Sequence, residues 1–321
     1  MKRFLALTLI LITIVPAFGQ VDQLYGEARL DYGAAIQDGA YKGKFKPDQL
    51  NLVLAGKIGR NLSYFWRQRF TKPLYNPDIP LNATDQVWLR WDINEHWAIQ
   101  GGKIAVIVGG YEFDDAPVDL YYWGLFAGLM PDVYALGGNL LWKINPQQTL
   151  MAQLTQSPLG FGYANLFQAA LVWYGRIAPW WNTIWSVNWM DDPAHNGLLV
   201  AGLGNRFEAG GFATELDFMY RTSAFQRNLP LDLSYVLKLE YKWPVLTVFA
   251  KGSYDYNRDC PADFVPQGTS AWILGGGVEV FPLRNDDLRL HTVGWWNSSI
   301  GSANFTVGIT YRLRVEKILP R

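Results

Sequence analysis

Short segments in which hydrophobic and polar residues alternate recur along the whole chain. In residues 62–72, the apolar Leu62, Tyr64, Trp66 and Phe70 alternate with a polar set that includes Arg67 and Arg69. A period of two is typical of a β-strand with one apolar and one polar face. Arginines on the face opposite the apolar side chains indicate that the polar face meets water. The same pattern is found at 212–221, 232–242 and 302–314.

The alternating segments number about 16, and residues typical of turns separate them. They lie at 23–34, 50–59, 62–72, 85–94, 97–105, 132–144, 148–156, 165–175, 180–190, 197–206, 212–222, 231–242, 246–256, 270–280, 286–297 and 302–314. Bacterial single-chain outer-membrane barrels have an even number of strands of about this length, apolar toward lipid and polar toward the lumen. The pattern therefore predicts an all-β fold, a transmembrane antiparallel up-and-down β-barrel.

The lengths of the links support a barrel independently. Every second link is tight, and those between them are mostly longer, notably at 35–49, 73–84, 106–131 and 257–269. Short periplasmic turns alternating with longer outer loops are a property of outer-membrane barrels. A large soluble β-sandwich or propeller does not predict such sorting.

The N-terminal residues resemble an export signal. Lys2 and Arg3 precede an apolar stretch at 4–15, and small residues follow near position 19. An apolar stretch this short does not span a bilayer as a helix, which needs about 20 residues. We expect residues 1–19 to be a secretory signal peptide and 20–321 to form the barrel. The predicted location is the bacterial outer membrane, with its lipid as a partner.

Composition and charge narrow the classes of function. The chain has 15 Trp, 17 Tyr and 17 Phe, as expected for aromatic girdles at both membrane interfaces. Lys plus Arg equal Asp plus Glu at 28 each, so no net field attracts nucleic acid, and none is expected as a partner.

Candidate enzyme and metal chemistry is weak in this sequence. Of the three histidines, only His195 is a candidate for a rim cluster, with Asp191 and Asp192, and its "MDDPAHNG" context is explained by turn formation. Asp114, Asp115 and Asp119 match no calcium-loop spacing. We therefore expect no enzyme activity, no cofactor and no metal.

The longest link contains "GGYEFDDAPVDLYYWGLFAGLM", residues 109–130, which alternates nowhere and is rich in aromatic residues. A barrel of about 16 strands is too wide for side chains to fill. We expect this third outer loop to fold into the lumen and constrict it. Its acids are Glu112, Asp114, Asp115 and Asp119, and its candidate aromatic contacts are Tyr121, Tyr122 and Trp123.

The wall opposite the loop acids is expected to be basic. By strand parity, the pore-lining basic residues of strands two to five are Lys57, Arg67, Arg69, Arg90 and Lys103. A basic wall facing an acidic loop would set ion selectivity in a narrow pore. The alternative is that the acids are solvated and the arginines pair with neighbours across strands.

The stretch "WAIQGGKIAVIVGGYEFDDAPVDLYYW", residues 97–123, resembles the corresponding segment of the phosphate-selective porin O and P superfamily, particularly Bacteroidetes-type members. The resemblance implies a 16-stranded channel, commonly a homotrimer, whose third loop folds inward. A long ladder of arginines and lysines, which lines the pore in namesake members, has no residue-by-residue match here. Acids such as Glu215 and Glu240 interrupt the inward faces instead.

Three functions follow as hypotheses. The first is a porin, an aqueous channel for passive diffusion of small hydrophilic solutes or inorganic ions. The second is a substrate-specific channel for phosphate, another anion or a sugar. The third is a structural or adhesive barrel that does not conduct.

Overall fold

The computed structural model describes residues 20–74, 76, 81–130, 133–160, 165–222, 232–258 and 265–317, and the predicted signal peptide lies outside them. Each strand pairs antiparallel with its sequence neighbours, and β1 pairs with β16 to close the barrel. The strands are β1 (Gln20–Gln37), β2 (Ala40–Ile58), β3 (Leu62–Arg69), β4 (Thr84–Asp92), β5 (Trp97–Ala105), β6 (Tyr134–Asn145), β7 (Gln148–Gln156), β8 (Phe167–Ala178), β9 (Trp181–Asp191), β10 (Gly197–Ala209), β11 (Phe212–Thr222), β12 (Leu233–Lys242), β13 (Leu246–Asn257), β14 (Thr269–Val280), β15 (Leu288–Asn297) and β16 (Ser302–Arg314). This architecture confirms the predicted closed 16-stranded antiparallel barrel.

Helical structure in the described part of the chain is limited to short pieces. They are α1 (Tyr111–Asp114), α2 (Leu125–Leu129) and a 3₁₀ turn at Val315–Lys317. None of the helices in the described ranges combines the length and the apolar character needed to cross a membrane.

The alternation in sequence becomes an alternation of burial. On β12, Tyr235 and Leu237 are exposed, whereas Ser234 and Glu240 are buried. The outward face of the barrel is therefore hydrophobic, as a lipid-facing surface requires, and the inward face is largely polar. Aromatic pairs such as Trp97 with Trp142, stacked at 5.8 Å, lie on the outward face near the strand ends.

The two ends of the barrel differ. At one end, the short-turn end, the links are 59–61, 93–96, 146–147, 179–180, 210–211, 243–245 and 281–287. The strand ends opposite, here called the long-loop end, flank the links at 70–83, 106–133, 157–166, 223–232 and 258–268, each partly outside the described residues, and are also joined by three tight turns.

One predicted long link is wrong. The sequence predicts an outer loop at 35–49, but β1 and β2 stay paired through this range, with one register shift at Asp48, up to a turn at Asp38 and Gly39. Both turn residues have positive φ, 51° and 76°, which suits the two-residue turn of a hairpin. The strand is hard to recognise in the sequence "YKGKFKPD" because its inward positions are lysines. These lysines give the segment the polar composition that is typical of a loop.

Candidate functional site: the third-loop segment

Residues 106–130, here called the third-loop segment, leave β5 and run against the inward face of β10. A Cβ atom on Gly202 would overlap Gly109, and one on Gly204 would overlap Gly110. Glycines on both partners therefore allow two backbones to touch. This contact explains the "GG" that opens the segment.

Helix α1 is fixed by a buried acid on β11. The carboxylate of Asp217 accepts hydrogen bonds from the backbone N–H groups of Tyr111 and Glu112, at 2.9 and 2.8 Å. These are N–H groups of a first helical turn, which have no partner within the helix. A carboxylate at that position is favoured by the local positive potential.

The two helices are joined by a buried ion pair with β13. The Lys251 amino group lies 2.8 Å from the Glu112 carboxylate and donates to the Tyr122 carbonyl at 3.1 Å. Glu112 also accepts the Gly124 N–H, which lies just before α2, at 2.7 Å. Both charged side chains are buried, so the pair fixes the distance between the two halves of the segment.

Helix α2 packs on an apolar cluster built from inward-facing side chains. Phe126 and Met130 belong to one buried cluster with residues such as Met190 of β9, Val200 of β10 and Met219 of β11. These apolar residues occupy inward positions that the barrel pattern predicts to be polar. Much of the hydrophobic surface of the segment is therefore buried against hydrophobic side chains of the barrel wall.

Residues 117–121 are held by arginines from β1 and β15. Arg29 donates to the carbonyls of Val118 and Leu120 at 2.8 and 2.7 Å, and Arg289 donates to Val118 at 3.0 Å. The carboxylate of Asp119 pairs with Arg289 at 2.7 Å and with Arg312 at 3.1 Å. Three guanidinium groups thus contact one five-residue stretch.

The aromatic residues proposed for the site have different surroundings. The ring of Tyr121 lies beneath the Arg29 and Arg289 guanidiniums, at 5.2 and 5.7 Å, and stacks on Phe249. Burial raises the pKa of Tyr121 above its ordinary value, so its hydroxyl stays protonated and donates to Glu279 at 2.6 Å.

The next two aromatic residues, Tyr122 and Trp123, contact different parts of the structure. Tyr122 is buried, stacks on Trp295 at 5.1 Å and donates to the Lys251 carbonyl. Trp123 packs against the cluster beneath α2 and lies 6.4 Å from Phe113.

The acids of the segment pair with basic residues, but on other strands than expected. Asp115 lies 3.1 Å from Lys238, which also contacts Glu215 at 3.4 Å. Asp114 is exposed. Burial opposes ionisation of Asp119, but the guanidiniums of Arg289 and Arg312 outweigh it and hold the pKa of that carboxyl below its usual value.

The predicted basic residues of strands two to five are placed as follows. Arg67 is buried and Arg69 is half-buried, and they pair with Asp85 at 3.2 and 2.7 Å. Arg67 also donates to the Tyr134 hydroxyl. Arg90 pairs with Asp92 at 3.1 Å.

The remaining two predicted basic residues lie away from the loop acids. Lys57 is exposed near the short-turn end. The register places Lys103 opposite Val87 and Leu136, both on the outward face, and its amino group donates to the Leu81 carbonyl at 3.1 Å.

The residues that contact the loop most directly were not selected from sequence. They are Arg29, Lys238, Lys251, Arg289 and Arg312. Each occupies an inward position by the same strand parity, so the alternation in the sequence predicts that their side chains face the lumen. It could not indicate that the segment crosses toward β11–β16 and β1 instead of folding back on strands two to five.

Two cavities adjoin the segment on opposite sides of Tyr121. The inner chamber, about 430 Å³, opens toward the short-turn end and is lined by residues including Asp119, Lys238, Arg289 and Arg312. The outer chamber, about 420 Å³, lies toward the long-loop end and is lined by residues including Arg29, Lys46, Arg69 and Lys72. Leu120 and Tyr121 line both.

The long hairpin β1–β2 adds three lysines beside the outer chamber. Lys42, Lys44 and Lys46 pair in register with Ala35, Gly33 and Asp31, on the inward face. They line a third cavity that also includes Tyr121.

The remaining chemical candidates from the sequence are a metal site and the turn around His195, and both fall within the described ranges. No group of three or more His, Cys, Asp or Glu residues there could hold a metal ion. His195, with φ of 58°, lies in a turn whose backbone N–H groups donate to Asp192. The carbonyl of Asp192 accepts from His195 N–H at 2.9 Å, as turn formation predicts.

Part of the chain, including the third-loop segment, matches a known protein family. The model for phosphate-selective porin O and P matches residues 23–169. This confirms the resemblance seen in the sequence and extends it from β1 to the start of β8, including the third-loop segment. No curated protein matches the chain.

Solved structures of outer-membrane porins share the fold. OmpF of Salmonella typhi, in complex with daunomycin, is 13% identical, with 93% of this chain and 99% of that chain covered and a TM-score of 0.66. The channel DcaP of Acinetobacter baumannii is 11% identical, with 92% and 98% covered and a TM-score of 0.64. OmpT of Vibrio cholerae is 12% identical, with 92% and 98% covered and a TM-score of 0.63. The family match and the porin fold indicate a channel of the outer membrane rather than an enzyme.

Proposed function

We propose that the protein is an outer-membrane porin through which small hydrophilic solutes or ions diffuse passively. The family match and the closed 16-stranded barrel with a polar inward face support this function. The observation that carries it is the pair of chambers, about 430 and 420 Å³, which share Leu120 and Tyr121 as lining residues. Water-filled space on both sides of a narrow point is what a size-selecting pore requires.

The third-loop segment is, in this proposal, folded into the lumen as the constriction. Its contacts with inward-facing Arg29, Asp217, Lys251 and Arg289 support that placement. Because these contacts come from strands remote from β5 and β6, the segment must extend away from its own strands.

The decisive experiment is single-channel recording of the purified mature protein in a planar bilayer, with a salt gradient and then with sugars added. Steady ohmic openings with weak selectivity are expected. Silence from protein shown to be folded by its heat-modifiable mobility on gels would contradict the proposal and favour a non-conducting structural or adhesive barrel.

A second candidate is a channel selective for anions such as phosphate. The inward lysines Lys42, Lys44 and Lys46 favour it, since with Arg69 and Lys72 they make the long-loop end of the lumen basic. Lys42 and Lys44 are exposed, so they are accessible to entering anions. Phosphate that blocks chloride current at millimolar concentration would support this candidate, whereas block by sugars alone would support a sugar-specific channel.

The remaining assignments belong to the same proposal. Residues 1–19 would be removed on export, and the barrel would reside in the bacterial outer membrane with its hydrophobic outward face in lipid. A homotrimer is the proposed assembly, supported by the trimer form known for OmpT of Vibrio cholerae, a structural neighbour at 12% identity. Crosslinking in native membranes would test it.

A further inference from the structure

Leu120 and Tyr121, the two residues that line both chambers, lie beside two arginines that are almost completely buried. Arg29 and Arg289 are 2% and 5% exposed. Their terminal nitrogens already donate to the third-loop segment, Arg29 to Val118 and Leu120, and Arg289 to Val118. These guanidiniums therefore have little capacity left to bind a passing anion.

The two arginines are themselves fixed by acids of the wall. Arg29 pairs with Asp31 at 3.2 Å and with Asp48, and Arg289 pairs with Glu279 at 3.2 Å. Their positions thus depend on strands β1, β2, β14 and β15. The two arginines therefore fix the position of the third-loop segment relative to the barrel wall.

The loop residue between the arginines is Tyr121, one of two residues that line both chambers. Both guanidiniums lie over its ring, and its hydroxyl donates a hydrogen bond to Glu279. The Leu120 carbonyl is a direct acceptor from Arg29. The two residues that bound the passage are therefore the ones whose backbone or ring the arginines contact.

We propose that Arg29 and Arg289 form a clamp that sets the aperture between the chambers, and that they are positioning residues for size selection rather than solute-binding residues. The inference rests on the proposed porin function. The clamp acts on backbone carbonyls, so it depends on the forked geometry of arginine. Lysine supplies charge but cannot reproduce that fork.

The test compares Arg29→Met, Arg289→Met and the double variant with wild type. We expect noisier open channels, a higher conductance and permeation of larger oligosaccharides into liposomes. Arg29→Lys and Arg289→Lys retain the charge and should still show the larger size limit with less effect on folding, which keeps the test informative if a methionine variant does not fold. Arg314→Met is the matched control, because Arg314 pairs with Asp286 and Asp287 at the short-turn end, and it should leave the size limit unchanged.

The outcomes separate the clamp from the porin function. No conductance in folded wild-type protein overturns the porin function itself. A conducting wild type whose size limit and noise are unchanged in both the lysine and methionine variants overturns the clamp. A change of reversal potential in Arg29→Lys, with the size limit preserved, would also overturn it, since that result would assign the arginines to solute binding.

Discussion

The Lys251 amino group on β13 lies 2.8 Å from the Glu112 carboxylate of the third-loop segment, and both side chains are buried. The pair joins the barrel wall to the middle of the segment. Removing one partner leaves the other as a buried charge without compensation, which typically costs about 3–5 kcal/mol.

Lys251→Met is therefore expected to lower the free energy of unfolding by a few kcal/mol and to loosen the segment. Urea unfolding and limited proteolysis between α1 and α2 would measure the two effects. The double variant with Glu112→Gln should be less damaged than Lys251→Met alone, because no unpaired charge remains. Equal damage in both would show that the ion pair does not hold the segment.

The charge distribution predicts opposite shifts in selectivity from two double variants. Arg67→Glu with Arg69→Glu adds acids beside Asp85 at the long-loop end and should shift the reversal potential toward cations. Asp114→Asn with Asp115→Asn leaves Lys238 with less compensation and should shift it toward anions. Unchanged reversal potentials in both variants would rule out fixed charge near the segment as the source of selectivity.

The outward face should tolerate charge far less than the ends of the barrel. Leu237 is exposed on the middle of β12, and Leu237→Lys should lower barrel stability by about 2–4 kcal/mol if the residue lies near the bilayer midplane. Leu283→Lys, in an exposed turn at the short-turn end, is the control with little expected cost. Conductance should stay normal in the folded fraction of both, and equal stability in lipid vesicles would refute the lipid-facing assignment.

Close backbone contact between the segment and β10 predicts a severe effect of a small substitution. Gly204→Ala would place a Cβ against Gly110 and displace the start of the segment. We expect an altered conductance and faster proteolysis within 106–130. Gly294→Ala has room for its Cβ, with the nearest atom at 3.8 Å, and should resemble wild type.

The lowered pKa of Asp119 predicts that its pairs with Arg289 and Arg312 persist in mild acid. A carboxyl whose pKa is lower in the folded protein stabilises the fold above its unfolded pKa, near 4, and this stabilisation is lost as the pH falls through the lower folded value. Conductance noise that depends on this residue should therefore be constant between pH 8 and about 5 and rise only below about 4. Recordings of wild type and Asp119→Asn across this range would test it, and a midpoint above pH 5 that Asp119→Asn removes would contradict it.

Much of the fold was predictable because strand pattern is local. Four of the sixteen predicted segments, at 97–105, 148–156, 212–222 and 302–314, coincide with observed strands, and the others differ at their ends. The largest error is the loop predicted at 35–49, where two paired strands are found. Lysines at alternate inward positions give this range the polar composition of a loop. Only pairing with β1 distinguishes the two.

The candidate site was predictable in part. The sequence identified the segment, its acids and Tyr121, since apolar and aromatic residues are unusual in a link between strands. Their partners were not identified, because Arg29, Lys251 and Arg289 lie far from the segment along the chain.

The sequence by itself determined the barrel, the count of strands and the segment that interrupts them, because alternation, turn residues and composition are encoded within about ten residues. The tertiary structure alone decided which wall that segment meets. Gly202 and Gly204 admit its backbone, the apolar cluster accepts α2, and Asp217, Lys251, Arg29 and Arg289 satisfy its polar groups. These contacts join residues about 90 to 170 positions apart, and no local pattern carries information over that separation.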